Sequence, residues 1–245
     1  MLMTPDEDRI TQLYEAFNRR AFDRCIAMLA PDVSWPDELE DRRLEGLDAV
    51  RAYLDHAIAP LRVCYQPIAL FTPSPGQIEV LARQTVLSAT DGSLWSSLRV
   101  RHRYTIKDGL FTHLESEQNY TAPTFEGVDR LLRRLYDAIN AGDVDGAAAC
   151  FGDHACFEDK LEDGPISGPA AIRAHFEHLF ATLQVTATMC DYALEPDDRV
   201  RVRLQVEARG ATGRLWHDGG VTAWYRLEGG LIVGQDVDDS GEEAP

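Results

Sequence analysis

One histidine, His102, is placed by its neighbours on the inward face of a predicted strand. Residues 98–106 alternate, so that Val100, His102, Tyr104 and Ile106 share one face while arginines occupy the other. A histidine held against a carboxylate can act as a general acid or base, because the carboxylate stabilises the protonated ring. The alternative is a core histidine that hydrogen-bonds to the backbone. The pattern leaves both interpretations open.

Two aspartates, Asp37 and Asp159, occupy matching positions two residues after a large aromatic side chain, Trp35 or Phe157. A carboxylate at the mouth of a pocket can transfer protons if it is partly desolvated and not neutralised by a salt bridge. The alternative for each is a loop aspartate that makes a turn or a cap. Asp37 also has a second carboxylate, Glu38, beside it.

The chain contains an internal duplication. A shift of 122 residues places Leu13-Tyr14-Glu15-Ala16-Phe17-Asn18 on Leu135-Tyr136-Asp137-Ala138-Ile139-Asn140, and a shift of 121 places Gly92-Ser93-Leu94-Trp95 on Gly213-Arg214-Leu215-Trp216. A constant register over ~100 residues indicates two copies of one domain. We predict four segments: a first domain (1–119), a linker (120–127), a second domain (128–238) and an acidic tail (239–245).

Each copy begins with helical patterns and ends with strand patterns. Thr4-Pro5-Asp6-Glu7 has the residue types of a helix start, and apolar residues follow at helical spacing. We predict a second short helix carrying Phe22, Cys25, Ile26 and Leu29, and a third after Gly46. Alternation in 98–106 and 199–206 is typical of half-buried antiparallel strands. The predicted fold class is α+β: two tandem domains, each with three N-terminal helices packed on a curved, mostly antiparallel sheet.

Composition argues against several classes of function. The chain has a net charge of −17, so nucleic acid, which is a polyanion, would repel it. No segment approaches the ~18 apolar residues of a membrane span, and the N-terminus has no signal-peptide pattern, so no membrane partner is expected. The five cysteines, without C-x-x-C spacing, indicate reduced thiols and a cytoplasmic location. His175 and His178 lie three apart on a predicted helix, but without a third ligand we expect a solvated helix face and no metal.

The order of these elements and motifs resembles the nuclear-transport-factor-2-like superfamily. The second copy resembles its ketosteroid isomerase branch through three motifs: Asn140-Ala141-Gly142-Asp143, Phe157-Glu158-Asp159 and Ser167-Gly168-Pro169-Ala170-Ala171-Ile172-Arg173. The first copy, with Trp35-Pro36-Asp37, resembles the SnoaL-like proteins. Together the two copies cover nearly the whole chain. The resemblance implies cone-shaped domains in which the sheet wraps a pocket open at one end.

The resemblance also implies roles for individual residues. Asp159, and by register Asp37, match the general base of ketosteroid isomerases, and His102 lies about where SnoaL-like cyclases place a pocket histidine. The implied pocket linings are Tyr14, Trp35, Tyr53 and Tyr104 in the first copy and Tyr136, Phe157 and Tyr225 in the second; plain core aromatics are the alternative. The isomerase's oxyanion-hole donors fall on Leu13 and Leu135, and on His102 and Ala223. Ketosteroid isomerase chemistry itself is therefore not expected.

Two functions remain open at this point. The first is a cofactor-independent isomerase, lyase or cyclase acting on a small, largely apolar carbonyl compound, with Asp37 and His102, or Asp159 alone, transferring the proton. The second is a noncatalytic module that binds a hydrophobic small molecule or a protein. Unequal copies, one catalytic and one structural, are a third possibility, because His102 has no counterpart.

The outer faces of the predicted sheets carry arginines: Arg99, Arg101 and Arg103 in one copy and Arg199, Arg201 and Arg203 in the other. In the superfamily this face is usually a dimer interface. We therefore expect an intrachain pseudo-dimer, or a homodimer. The alternative is that the arginines face solvent or pair with Glu79 and Glu207.

Overall fold

The computed structural model describes residues 4–159 and 164–238. The chain divides into two compact units, Met1–Thr121 and Ala122–Pro245. The predicted acidic tail, 239–245, lies outside the described residues. Among the residues described, no helix is both long enough and apolar enough to cross a membrane.

The first helix, α1 (Pro5–Asn18), starts as the sequence predicts. The Thr4 hydroxyl accepts the Glu7 N–H at 3.2 Å, and the Glu7 carboxylate accepts the Thr4 N–H at 2.8 Å. This capping box satisfies two backbone donors of the first turn. The prediction that Leu29 belongs to α2 (Phe22–Ala27) is wrong. Leu29 begins strand β1 (Leu29–Asp37), because it pairs with Phe111 in the sheet.

The rest of the first unit builds one sheet around a helix. After β2 (Arg42–Glu45), Gly46 takes a φ of 83°, which L-residues rarely adopt, and α3 (Leu47–Tyr53) follows with a π-helical turn at its end (Leu54–Ile58). The long strands are β3 (Leu61–Ser74), β4 (Gln77–Ser88), β5 (Leu94–Lys107) and β6 (Leu110–Gln118). The strand order is β2-β1-β6-β5-β4-β3, and the β1–β6 pair is parallel. The core lies between this sheet and the helices.

The second unit repeats the plan with a smaller sheet. Its helices are α4 (Glu126–Ala141), α5 (Val144–Ala148) and α6 (Gly168–Thr182), so α4 starts inside the segment predicted as linker. Its strands are β7 (Cys156–Phe157), β8 (Ile166–Ser167), β9 (Leu183–Leu194), β10 (Val200–Gly210), β11 (Leu215–Glu228) and β12 (Leu231–Asp238). The last four form a sheet in the order β12-β11-β10-β9, and β7 pairs with β8. The predicted α+β class with two repeated domains is confirmed.

The same pair of hydrogen bonds fixes the first helix of each unit to its sheet. Asn18 donates to the carbonyl of Tyr65 at 2.7 Å and accepts its N–H at 2.9 Å. Asn140 makes the corresponding bonds to Ala187, at 2.9 Å and 2.7 Å. Tyr65 and Ala187 are therefore equivalent positions, which gives the register for comparing the two units.

Arginines on the outer faces of both sheets pair with carboxylates of the same unit. Arg103 contacts Glu79 at 3.0 Å and Glu115 at 3.3 Å, and Arg201 contacts Glu195 at 2.8 Å. The contact with Glu79 is part of the alternative that the sequence left open for these arginines, beside a dimer interface. Glu207, the other predicted partner, instead binds Arg209 at 2.8 Å. The intrachain pseudo-dimer stays a prediction.

Candidate active site in the first domain

The first domain contains a cavity of about 40 Å³ between its helices and its sheet. Most of its wall is apolar. Tyr14, Trp35, Tyr53 and Tyr104, the aromatic residues singled out in the sequence, all line it. The wall also includes Glu38, Tyr65 and His102. A few polar groups in an apolar cavity are typical of small-molecule sites.

The residue His102 is 2% exposed, and two tyrosines contact its Nδ1 atom. The Tyr14 hydroxyl lies 2.6 Å from Nδ1, and the Tyr104 hydroxyl lies 3.3 Å from Nδ1 and 3.4 Å from the Tyr14 oxygen. Burial raises the pKa of both hydroxyls well above the usual value, so both keep their protons. With Tyr104 donating to Tyr14, the single proton of Tyr14 points to Nδ1. In this hydrogen-bond arrangement Nδ1 is an acceptor, which assigns the ring proton to Nε2.

Glu38 is an ionised carboxylate held by three donors. Its Oε2 accepts hydrogen bonds from Gln84 at 2.9 Å and Tyr65 at 3.2 Å, and its Oε1 accepts one from Ser116. Burial by itself raises the pKa of Glu38. The nearby ring of His102 and the hydrogen bonds from Ser116 and Gln84 outweigh burial and lower the pKa to about 2.

The two halves of this network face each other across a gap. His102 Nε2 lies 3.8 Å from Glu38 Oε1, which is too long for a hydrogen bond. Within the described residues, Nε2 is buried and has no hydrogen-bond partner. One oxygen atom beside this pair could accept from Nε2 and donate to Oε1. The site therefore presents a donor and an acceptor to the same ligand group.

Asp37, the expected carboxylate of this site, is placed elsewhere. Its Oδ1 accepts the N–H groups of Leu39 and Glu40 at 3.1 Å and 3.2 Å, and its Oδ2 accepts Arg42 Nε at 3.0 Å. The expected Asp37–His102 pair is thus not formed, and Glu38 takes that place. Strand β1 ends at Asp37, so alternation could not show which of the two carboxylates points inward.

Replacing Tyr14 with phenylalanine should change the protonation pattern of His102. Nδ1 would lose its 2.6 Å donor and keep only Tyr104. Such a bond contributes about 0.5–1.5 kcal/mol. The ratio of the tautomer protonated on Nε2 to the tautomer protonated on Nδ1 should therefore fall roughly 2- to 10-fold. The ¹⁵N chemical shifts of the ring measure it. Tyr136→Phe, the equivalent change in the second domain, is the control and should leave the His102 shifts unaltered. A wild-type ring protonated on Nδ1 would contradict the assignment.

The second domain keeps the tyrosines and lacks the rest of the network. The strand registers match four residues of the first domain to apolar ones: Tyr65 to Ala187, Gln84 to Val206, His102 to Ala223 and Ser116 to Val237. By the 122-residue shift, Glu38 corresponds to Lys160, which lies outside the described residues. The predicted pocket residues Tyr136 and Tyr225 are buried, and their hydroxyls bond to each other at 2.7 Å.

The remaining predicted residues of the second domain have other surroundings. Phe157 is buried and packs against Phe151 and His175. Asp159 is half-buried at the end of a described segment, and its catalytic role stays a prediction. The expectation of a solvated face at His175 is wrong, because this residue is 5% exposed and also packs against Phe176. Across 4–159 and 164–238, no three His, Cys, Asp or Glu side chains are placed to hold a metal ion.

Comparison with known proteins agrees with this architecture. The family model of the SnoaL-like domain matches residues 10–114 and matches again at residues 132–235. The two matches fall one in each compact unit and together span most of the chain. The chain therefore belongs to the SnoaL-like family and carries two copies of its domain.

Solved structures that resemble this chain each cover about one of its units. An NTF2-like protein of unknown function from Burkholderia pseudomallei is 27% identical, with 47% of this chain and 92% of that chain covered and a TM-score of 0.41. TerC, co-crystallised with polyporic acid, is 20% identical, with 47% and 92% covered and a TM-score of 0.42. A Mycobacterium tuberculosis protein in complex with estradiol-17beta-hemisuccinate is 17% identical, with 47% and 96% covered and a TM-score of 0.42.

Proposed function

We propose that the first domain catalyses proton transfer next to a carbonyl group in a small, largely apolar compound, without a cofactor. The observation that carries the proposal is the gap between Glu38 and His102. An ionised carboxylate and an unpartnered N–H face each other in an apolar cavity. Removal of a proton beside a carbonyl needs such a pair, a base for the carbon and a donor for the oxygen.

The reaction follows from the positions of these two groups. The carbonyl oxygen of the substrate accepts the Nε2–H of His102, and the proton on the adjacent carbon passes to Oε1 of Glu38. The C–H electron pair becomes the enolate, whose negative oxygen is stabilised by the same Nε2–H. Glu38 then returns the proton to a different carbon, which isomerises the compound. Alternatively, the enolate carbon attacks a second carbonyl of the same molecule and closes a ring. The π electron pair of that carbonyl moves to its oxygen, and the resulting alkoxide takes the proton back from Glu38.

The low pKa of Glu38 makes it a weak base while the site is empty. The ring of His102 contributes to that low pKa, beside Ser116 and Gln84. An apolar substrate in the cavity removes the remaining solvent from the Glu38 carboxylate. Desolvation raises the pKa of a carboxylate, so substrate binding strengthens Glu38 as a base.

The two tyrosines support this role from the far side of the ring. Tyr14 and Tyr104 keep a donor on Nδ1, so Nε2 retains the proton that the carbonyl oxygen needs. Their raised pKa values keep both hydroxyls neutral during the reaction. The second domain has the tyrosine pair without the histidine, the carboxylate or the amide. We infer that each chain has one catalytic domain and one structural domain.

Binding without chemistry is the second candidate function. Two observations favour it: the low pKa of Glu38, which disfavours proton uptake, and a cavity of about 40 Å³, which leaves little room unless side chains move. Under this alternative a small apolar carbonyl compound would bind with its oxygen on His102 and would leave unchanged.

Deuterium exchange distinguishes the two candidates. We would incubate the chain in D₂O with 2-tetralone, an apolar ketone with acidic C–H groups, and follow loss of these protons by ¹H NMR. The proposal expects exchange above the buffer rate, and His102→Gln should lower the enzymic rate about 10²-fold or more. His113→Gln, a change on the neighbouring strand outside the cavity, is the matched control. Binding of the ketone without exchange would support the noncatalytic alternative.

A further inference from the structure

The turn after β1 is built around Asp37. The N–H groups that its Oδ1 accepts belong to Leu39 and Glu40, the two residues directly after Glu38. Asp37 therefore closes a loop of backbone in which Glu38 is enclosed. Asp37 is 3% exposed, whereas its partner Arg42 has a 60% exposed side chain and covers the carboxylate from the solvent side. Both oxygens of Asp37 are thus occupied.

We propose that Asp37 is a positioning residue that holds the Glu38 carboxylate against His102, Ser116 and Gln84. The backbone bonds fix the Cα of Glu38, which is the starting point of its side chain. Three flexible torsions separate that point from the carboxylate, and each hydrogen bond to it requires close alignment. A turn free to relax would let Glu38 leave the cavity for solvent, where a carboxylate is better hydrated.

Two features make Asp37 suited to orientation rather than to proton transfer. Its carboxylate does not line the cavity, whereas Pro36 and Glu38 on either side of it do. Both of its oxygens are already bound, Oδ1 by the N–H groups of Leu39 and Glu40 and Oδ2 by Arg42 Nε at 3.0 Å. The effect of Asp37 on turnover rests on the proposed function, but its effect on the orientation of Glu38 does not.

The test is a titration of Glu38 in variants of the full chain. With ¹³C-labelled glutamate, the side-chain carboxyl signal of Glu38 is identified by its loss in Glu38→Gln and is followed against pH. Asp37→Ala should raise the pKa of Glu38 by about one unit or more, because the carboxylate no longer faces its donors. Asp37→Asn keeps an acceptor for the two N–H groups and should leave that pKa within about half a unit of wild type.

Arg42→Gln provides the matched control, because it removes the ion pair and leaves the turn bonds of Asp37 intact. A Glu38 pKa that stays near wild type in Asp37→Ala would overturn the proposal. If Asp37→Ala does not fold, Asp37→Val is read in the same way, since its side chain also has no acceptor for the two N–H groups. In the exchange assay, Asp37→Ala should lower kcat about 10-fold or more with a smaller change in KM, and Asp37→Asn should restore it. Failure of all variants and of wild type to exchange would count against the proposed function alone.

Discussion

Replacing Glu38 with glutamine should lower the rate of proton exchange by about 10²–10⁴-fold, the range expected for loss of a general base. An amide cannot take up the proton at neutral pH. Its NH₂ group would also face donors, because Ser116, Gln84 and Tyr65 all donate to the carboxylate. The variant therefore removes both the base and the geometry of the gap. Exchange of 2-tetralone protons in D₂O measures the effect.

Glu40→Gln is the control for this change. It alters the same residue type in the same turn, but Glu40 is exposed and its carboxylate contacts Arg42 instead of the cavity. Exchange should stay within about twofold of wild type, as for a surface substitution. Equal losses in the two variants would mean that the turn, and not the carboxylate of Glu38, carries the effect.

The second large effect concerns stability in acid. The pKa of Glu38 is about 2 in the folded domain, against 4.5 for an ordinary glutamate. Because the pKa of Glu38 is lower in the folded domain, the unfolded chain binds more protons than the folded chain between pH 2 and pH 4.5. The stabilisation from Glu38 is therefore present above pH 4.5 and is lost as the pH falls towards 2. The loss is up to about 1.4 kcal/mol per pH unit and about 3 kcal/mol in total.

Urea unfolding at pH 6, 4.5 and 3.5 measures this loss. A Trp216→Phe/Trp224→Phe background leaves Trp35 and Trp95, so that fluorescence reports the first domain alone. Many other carboxylates titrate in this range, so the informative quantity is the difference between this background and the same chain with Glu38→Gln. The Glu38 chain should lose stability more steeply below pH 4.5. Parallel slopes would show that Glu38 has an ordinary pKa.

The fold could be predicted from the sequence because its signals are local and occur twice. The capping box at Thr4, the alternation through residues 98–106 and the register of the two copies each depend on neighbours in the chain. The one misplaced helix residue, Leu29, was assigned by helical spacing alone. Its strand partner Phe111 is distant in sequence, and pairing of that kind cannot be recognised from local spacing.

The candidate site could be predicted only in part. The alternation around His102 and the family resemblance predicted five of the residues that line the cavity in the structure, His102, Tyr14, Trp35, Tyr53 and Tyr104. The choice of Asp37 over Glu38 depended on which way a turn directs two adjacent carboxylates, and this is decided by the N–H groups of Leu39 and Glu40. Gln84 and Ser116 carry no sequence signal of their own, since they matter only because their strands bring them to Glu38.

The polar members of the site come from six places in the fold of the first domain, and only His102 and Tyr104 share a strand. Tyr14 lies on α1, Tyr65 on β3, Gln84 on β4, His102 on β5 and Ser116 on β6, and Glu38 follows β1. No fragment of the domain can hold the site, because losing any one element removes one of its members. Ligand affinity is therefore coupled to global unfolding rather than to local order. A compound that fits the gap should raise the melting temperature of the whole first domain, and the rise should grow with the logarithm of the ligand concentration divided by Kd.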